Sequence, residues 1–514
     1  MLVKTEELTR EKLATMPEGL VHQVYCGLDT CVTFEVFEAL SALLGGTADV
    51  ELSWPLLYSF ERALQAPALD MMLRGFKIDE FERERAIAQL SGQLATLRGQ
   101  LDTLGRAVWD DSLNPGSPKQ LKEFFYQRMR LPEVWIRDKG QRKLSTNIEA
   151  LEKLEVYFHA RPFVALILAC RETAGLLKKI ESPLENGRFM FSYNIAGTET
   201  GRPSSSKSST GSGNNIQNLK RDEDLEEGEI SIRKMFIADP GYKLCNIDLE
   251  QTESRDVGFL QGAILGDWTY LDACEKGDLH TATAKMVWPE LGWSGDASRD
   301  REIANQNFYR HFSYRDMSKR GGHLSNYMGT AWTAARSLKV PLPIMESFRE
   351  KYIERAFPAF APWWQWTAQE LQTKGVLTTP YGFSRQFFGR SDDDATLREA
   401  IAFVPQSMTA NRMSLGMWRI WKFMPEVELL AEVYDSVCFQ YKEGTELAVI
   451  PKALKLCEVP LVAPSGRVMT VPAEAKTGFN WGAHSAANPD GLMKWSPKRP
   501  DTRKRSLGGR ERIL

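Results

Sequence analysis

The chain has no C-x-x-C pair. Its seven cysteines, at 26, 31, 170, 245, 274, 438 and 457, are scattered, which argues against both a zinc ribbon and a disulfide framework. The six histidines include no H-E-x-x-H, so the zinc-protease helix is absent too. The longest purely apolar stretch, Phe163 to Cys170, falls far short of the roughly 18 residues that a membrane-spanning helix needs. The N-terminal MLVKTEELTREK lacks the apolar core of a secretory signal. Neither sign of charge dominates: Lys+Arg 65 against Asp+Glu 67 leaves a net charge of −2. A uniformly basic nucleic-acid wrapper is thereby excluded, while a locally basic cleft is not. What is present is ordinary for a globular protein, with 43% hydrophobic and 26% charged residues in 514, enough for more than one domain. The expectation is a reduced, soluble, cytoplasmic protein with no membrane partner.

Along the chain, VYCGLDTCVTFEVFEALSALL reads as a short helical unit closed by Gly45-Gly46. From Phe81 a long helix is predicted. Leu90, Leu94, Leu97, Leu101, Leu104 and Val108 alternate steps of four and three, which lays one apolar seam along a rod. The seam is short for a dimerising coiled coil, so a partner helix in the same chain is expected. Another helical run covers Phe163 to Ile180. The stretch TETGRPSSSKSSTGSG reads as an extended loop, and the acids between Asp222 and Glu229 as a solvated one. YKLCNIDLE reads as a buried strand ending in an acid. Residues 276–390 are expected to be mostly helical, with YGFSR as a turn. LLAEVYDSVCFQY has the pattern of a hairpin about Tyr434-Asp435. From Asn488 onward, eight Lys/Arg stand against three acids, and this Pro/Gly-rich tail is expected to be unstructured.

Four segments become informative together. Asp248 closes a strand and Asp435 sits at a hairpin tip. Two carboxylates at adjoining strand ends can hold two hard cations, which clamp the attacking and leaving oxygens of a phosphoryl transfer. Singly, each is weak evidence, because an acid at a strand end is common. In RDMSKRGGHLSNYMG, Arg315, Lys319, His323 and Tyr327 recur every fourth residue. On a helix they drift by only about 40° per step and form one stripe. Two cations followed by two rings suit a triphosphate followed by a sugar and base; the plain alternative is a solvated cationic face. Gly321 and Gly322 cost a helix interior about 1 kcal/mol each relative to Ala, so either something approaches the backbone there or the helix flexes. Finally, TETGRPSSS and NNIQNLKR offer hydroxyls, amides and arginine suited to a nucleic-acid backbone and minor groove, although alone they would pass for a linker.

The order TGRPSS, IQNL, DLEQTESR, R-x3-K-x3-H-x3-Y and YDS resembles family A (DNA polymerase I-like) DNA polymerases, from about residue 55 to Trp481. DLHTATA, AFVPQS and the stretch from NPGSPKQL to KLSTNIEALEKL agree with it. The resemblance implies an α+β, mostly helical right-hand polymerase fold with an antiparallel palm sheet and helical fingers and thumb. It implies a thumb over 55–185, a palm over 186–275 and 391–486, and fingers over 276–390, with the basic tail read from composition left at 487–514. It implies that Asp248, Asp435 and the backbone carbonyl of Leu249 hold two Mg²⁺ ions, with Mn²⁺ able to substitute. Arg315 and Lys319 match the triphosphate-binding pair, and Lys319 also matches the general acid for departing pyrophosphate. Glu253 matches the acid that blocks a ribose 2′-hydroxyl, and Tyr327 the ring guarding the templating base. His323, Gln251 and His280 fall among nucleotide-binding positions; Arg202, Gln406, Arg398, Asn218 and Tyr434 fall among primer-template contacts. The implied partners are primer-template DNA and dNTPs.

The chain departs from the family pattern in three places. Tyr434-Asp435-Ser436 replaces His-Asp-Glu and removes a third palm acid. His323 stands where Phe or Tyr is usual, as in some phage-like branches, which would make the host cytoplasm its location. Met328 delays Gly329 by one place. A single-subunit RNA polymerase shares the palm logic, but Glu253 argues against it; an inactive DNA-binding replication scaffold conflicts with intact Asp248, Asp435, Arg315 and Lys319. Tyr25 and Asp29, at i and i+4, resemble the last motif of the family's 3′–5′ exonuclease domain, making 1–54 a remnant. Glu6, Glu7, Glu11 and Glu18 form no Asp-x-Glu motif, so the chain itself is expected not to proofread. A separate exonuclease chain is an expected partner.

Overall fold

The computed structural model describes residues 15–43, 57–109, 111–138, 141–225, 229–310 and 312–497. The chain divides into two units, Met1–Leu64 and Gln65–Leu514. In the first, Glu18–Leu43 is one helix, α1, with Tyr25 and Asp29 both exposed. Gly45-Gly46 and the acids Glu6, Glu7 and Glu11 lie outside the described residues.

In the second unit the predicted rod is helix α2, Glu80–Trp109. Asp79 begins it, its carboxylate accepting the Glu82 N–H at 3.1 Å, and Glu80 and Glu82 add acids to the positive first turn. Leu90, Leu94 and Leu101 are buried, Leu97 and Leu104 are partly buried, and Val108, near the C-terminal end, is 59% exposed. The seam packs on α3, Arg161–Ile180, whose Val164, Ile167 and Cys170 join it in one apolar cluster with Phe124, Phe125 and Leu151. An intrachain partner thus satisfies the leucine stripe.

The second core surrounds a five-stranded antiparallel sheet. Its strands are β1 (Tyr242–Leu249), β2 (Glu428–Val433), β3 (Ser436–Lys442), β4 (Ala473–Gly478) and β5 (Met493–Lys494), in the order β2-β3-β1-β4-β5. β1 is central because Leu244, Cys245, Ile247 and Leu249 are all buried, the near-continuous apolar run of a strand covered on both faces. The register sets Ser436 and Glu474 on either side of Asp248.

The basic tail begins later than expected. β5 joins the sheet, and Asn488 and Leu492 are buried, because Lys494 is neutralised by Glu474 at 2.5 Å and the Asn488 amide is bonded to Asn480 and Ala483. Residues 498–514 are not among those described. The serine-rich loop is also less free than its composition suggests: Ser204–Ser206 pairs with Ser192–Asn194 as a short ribbon.

Helix α4, Thr252–Leu265, starts directly after β1. Between sheet strands, 276–390 is mostly helical as expected, with α5 (Leu279–Val287), α6 (Tyr314–Asn326) and α7 (Phe360–Lys374) among its elements. Tyr381-Gly382 turns between the short strands Val376–Thr378 and Ser384–Gln386. Helix α8, Asp394–Phe423, is buried over most of its second half. A fully buried ion pair locks α8 to α4, with Arg412 Nη2 2.6 Å from Asp256 Oδ1 and Nη1 donating to Asp256 Oδ2 at 2.9 Å and to the Thr252 hydroxyl at 2.8 Å. Removing either partner would strand a buried charge, a costly outcome.

Candidate active site

Sheet geometry builds the acidic centre. The Tyr434-Asp435 turn connects β2 to β3, and Tyr434 takes the left-handed φ of 58° that few non-glycine residues adopt. The Leu249 N–H donates to the Asp435 carbonyl at 3.1 Å, fixing the hairpin tip beside the end of β1. The two carboxylates are thereby brought together: Arg221 Nη1 donates to Asp248 Oδ2 at 2.8 Å and Nη2 to Asp435 Oδ1 at 2.7 Å. Burial, and then the charge of Asp435, push the Asp248 carboxyl up to about 7, against the opposing pull of Arg221 and Lys476. Two carboxylates that share one guanidinium call for positive charge between them. The guanidinium marks that space as a cation's, and hard carboxylate oxygens suit Mg²⁺ or Mn²⁺. Ser436, at the position of the missing third acid, is buried and its hydroxyl donates to the Val433 carbonyl at 3.0 Å.

A cleft of about 710 Å³ opens beside Asp435 and is lined by Lys319, His323, His280, Glu253 and Tyr434. Helix α6 is started by a capping box between Ser313 and Asp316. Arg315, Lys319 and His323 lie on it as the spacing predicts, whereas Tyr327 falls at its C-cap, with φ −107° and ψ 36°. The His323 and Tyr327 rings meet edge to face at 5.6 Å. Gly321 and Gly322 do have close neighbours, but from inside the fold. An added Cβ would lie 2.7 Å from the Phe348 ring at Gly321 and 3.2 Å from the Tyr352 ring at Gly322. The glycines let α6 pack tightly on those rings, and that explains them without a ligand.

Arg315 does not reach toward the cleft freely. Its Nε and Nη2 donate to the two oxygens of Asp278 at 2.6 and 3.0 Å. Burial would raise the Asp278 carboxyl, but the bonds from Arg315 and Thr281 hold it down at about 2. Asp278 also caps α5, which carries His280. Burial, outweighing the nearby Asp278, lowers the His280 imidazole to about 4, so it is a neutral ring at pH 7.

Glu253 accepts from the Tyr327 hydroxyl and pairs with Arg202 Nη2 at 3.1 Å. Gln251 initiates α4 with a left-handed φ of 53°. Its Oε1, the Arg202 Nε and the Ser318 Oγ are buried atoms without a hydrogen-bond partner among the described residues, and all three side chains line the cleft. Such orphans are costly unless a ligand completes them.

The Tyr434 hydroxyl donates to Asn218 Oδ1 at 3.2 Å. Arg398 and Gln406 both lie on α8 and are not brought into the cleft lining; Arg398 Nε donates one turn back, to the Asp394 carbonyl at 3.1 Å.

Sequence reasoning took Arg221 only as the arginine of NNIQNLKR, and missed Asp278 and the structural roles of three acids, Asp222, Glu223 and Glu432. Asp222 and Glu223 are not a solvated run: Asp222 accepts from Ser231 and the Ala483 N–H, both at 2.7 Å, and Glu223 pairs with Lys476 at 2.5 Å. Glu432, on β2 itself, is buried, and burial pushes its carboxyl up to about 8, against the opposing bond from Gln217. The one available signal was position, since Gln217 lies in IQNL and Arg221 follows it closely.

The sequence model of DNA polymerase family A matches residues 84–483. The thermostable DNA polymerase I of Thermus aquaticus is 26% identical over 488 residues, covering 91% of this chain and 53% of the relative. DNA polymerase I of Helicobacter pylori strain 26695 is 28% identical over 407 residues, 75% of this chain and 40% of that protein. The chain thus spans about half the length of the curated relatives it matches. Among solved structures, the POL domain of Pol1 from M. smegmatis, in complex with DNA primer-template and dNTP, superposes with a TM-score of 0.64 at 20% identity, covering 82% of this chain and 70% of that one. That likeness establishes the α+β polymerase fold. Among the described residues no helix is long and apolar enough to cross a membrane.

Proposed function

This chain belongs to DNA polymerase family A, and from that premise we propose that it extends a primer 3′ end with dNTPs, directed by a DNA template. The observation that carries the proposal is the convergence of Asp248 and Asp435 on one guanidinium beside a cleft lined by Lys319, His280, His323 and Glu253. Asp248, Asp435 and the Leu249 carbonyl would hold two Mg²⁺ ions, with Mn²⁺ able to substitute; bound there, such ions lower the pKa of a 3′-hydroxyl and hold a triphosphate. Among the described residues no three His, Cys, Asp or Glu side chains converge on one point, so phosphate and water would supply most remaining ligands.

The protein's own residues would do the rest. Lys319 binds the phosphates and gives a proton to the departing pyrophosphate. Arg315, held by Asp278, contributes positive field along α6. Neutral His280 and the orphaned Oε1 of Gln251 offer polar contacts without added charge. His323 and Tyr327 present rings to sugar and base, and Glu253 crowds a 2′-hydroxyl. Arg202, Asn218, Tyr434, Gln406 and Arg398 track the primer-template. In this reading 55–185 is the thumb, 186–275 and 391–486 the palm, and 276–390 the fingers, with the palm extended by β5 to residue 494. The protein would serve replication in the cytoplasm, with a separate exonuclease chain correcting errors.

Primer extension with Mg²⁺ tests the core of this. Asp248→Ala and Asp435→Ala are each expected to lower the extension rate on the order of 10³–10⁴-fold while primer-template binding survives, and Ser436→Ala to be mild. Extension retained in either aspartate variant would remove the metal assignment.

A further inference from the structure

Arg221 is aimed at the carboxylate pair by a braced segment. Asp222 is tied to Ser231 and to the backbone of Ala483, and Glu223 to Lys476 on β4, two residues from the Glu474 that lies opposite Asp248. With its backbone so held, the guanidinium reaches both acids at once, at 2.8 and 2.7 Å. Its two N–H groups take one oxygen from each acid, so a cation shared by the two carboxylates would compete for the same space and lone pairs.

We propose that Arg221 is the internal counter-cation of this site: it closes the Asp248–Asp435 pair when no divalent ion is bound and has to be displaced before one binds to both acids. The proposal rests on reading the two aspartates as metal ligands. It makes Arg221 a threshold device that weakens divalent-ion binding by the full chain in the absence of DNA.

The test is Mn²⁺ binding to the DNA-free full-length chain, followed by electron paramagnetic resonance of the free ion, with Asp435→Ala as the control for site occupancy. Arg221→Ala is expected to bind Mn²⁺ roughly tenfold more tightly than the parent protein. Arg221→Lys separates bridging from mere charge, and also serves if the alanine variant fails to fold. Lysine keeps the positive field but presents a single ammonium instead of a fork, so it too should bind more tightly than the parent. Affinity unchanged in both Arg221 variants, or lysine indistinguishable from arginine while alanine is tighter, would overturn the proposal but leave the metal site intact. Binding that is indifferent to Asp435→Ala would instead overturn the metal-ligand reading, and this proposal with it.

Discussion

Glu253 is held by two neighbours of different kinds, the Tyr327 hydroxyl and the Arg202 guanidinium. Burial, followed by the charge of Glu253, pushes the Tyr327 phenol well above its usual value, so Tyr327 stays a donor across the working pH range. The carboxylate is therefore fixed in one place, as its proposed exclusion of a 2′-hydroxyl requires. Glu253→Ala removes both the bulk and the charge, and is expected to raise the ratio of rNTP to dNTP incorporation about tenfold or more. Single-nucleotide incorporation kinetics with each sugar measure that ratio directly. If it did not move, discrimination would pass to His323, whose ring borders the same cleft.

Helix α6 illustrates how packing can reverse a local propensity. Glycine to alanine inside a helix ordinarily stabilises by about 0.5–1 kcal/mol. At Gly99, on α2, an added Cβ meets nothing within 4 Å, so Gly99→Ala should follow that rule. At Gly321 the same methyl would press on the Phe348 ring at 2.7 Å, and overpacking of this kind costs about 1–3 kcal/mol. Urea unfolding of the two variants should give midpoints displaced in opposite directions; a shared direction would contradict the packing account. The same helix separates what the sequence could reveal from what it could not. The four-residue stripe is a periodic signal, so it was legible, as were the leucine seam of α2, the apolar β1 and the hairpin around Asp435. Phe348, Arg221 and Asp278 were not legible, because each acts on a partner distant along the chain and no local period records such a pairing. β5 was hidden for a related reason: a two-residue strand in a basic, Pro/Gly-rich stretch is stabilised by Glu474 and Asn480, which composition does not reveal.

For the whole molecule, the consequential question is which chemistry one polypeptide performs. Helix α1 exposes Tyr25 and Asp29, and we propose that the chain does not proofread alone. The pure protein incubated with a mismatched primer and Mg²⁺, without dNTPs, is expected to leave primer length unchanged; shortening would show a nuclease site within it. Template dependence is the most specific property of the proposed synthesis. The decisive measurement supplies a single dNTP at a time to four primer-templates that differ only in the first templating base. Rapid one-base extension is expected in the complementary combination of each set, and is expected to be lost in Asp435→Ala. Extension that ignores the template base, or none with any dNTP although the primer-template is bound, would contradict the proposed synthesis.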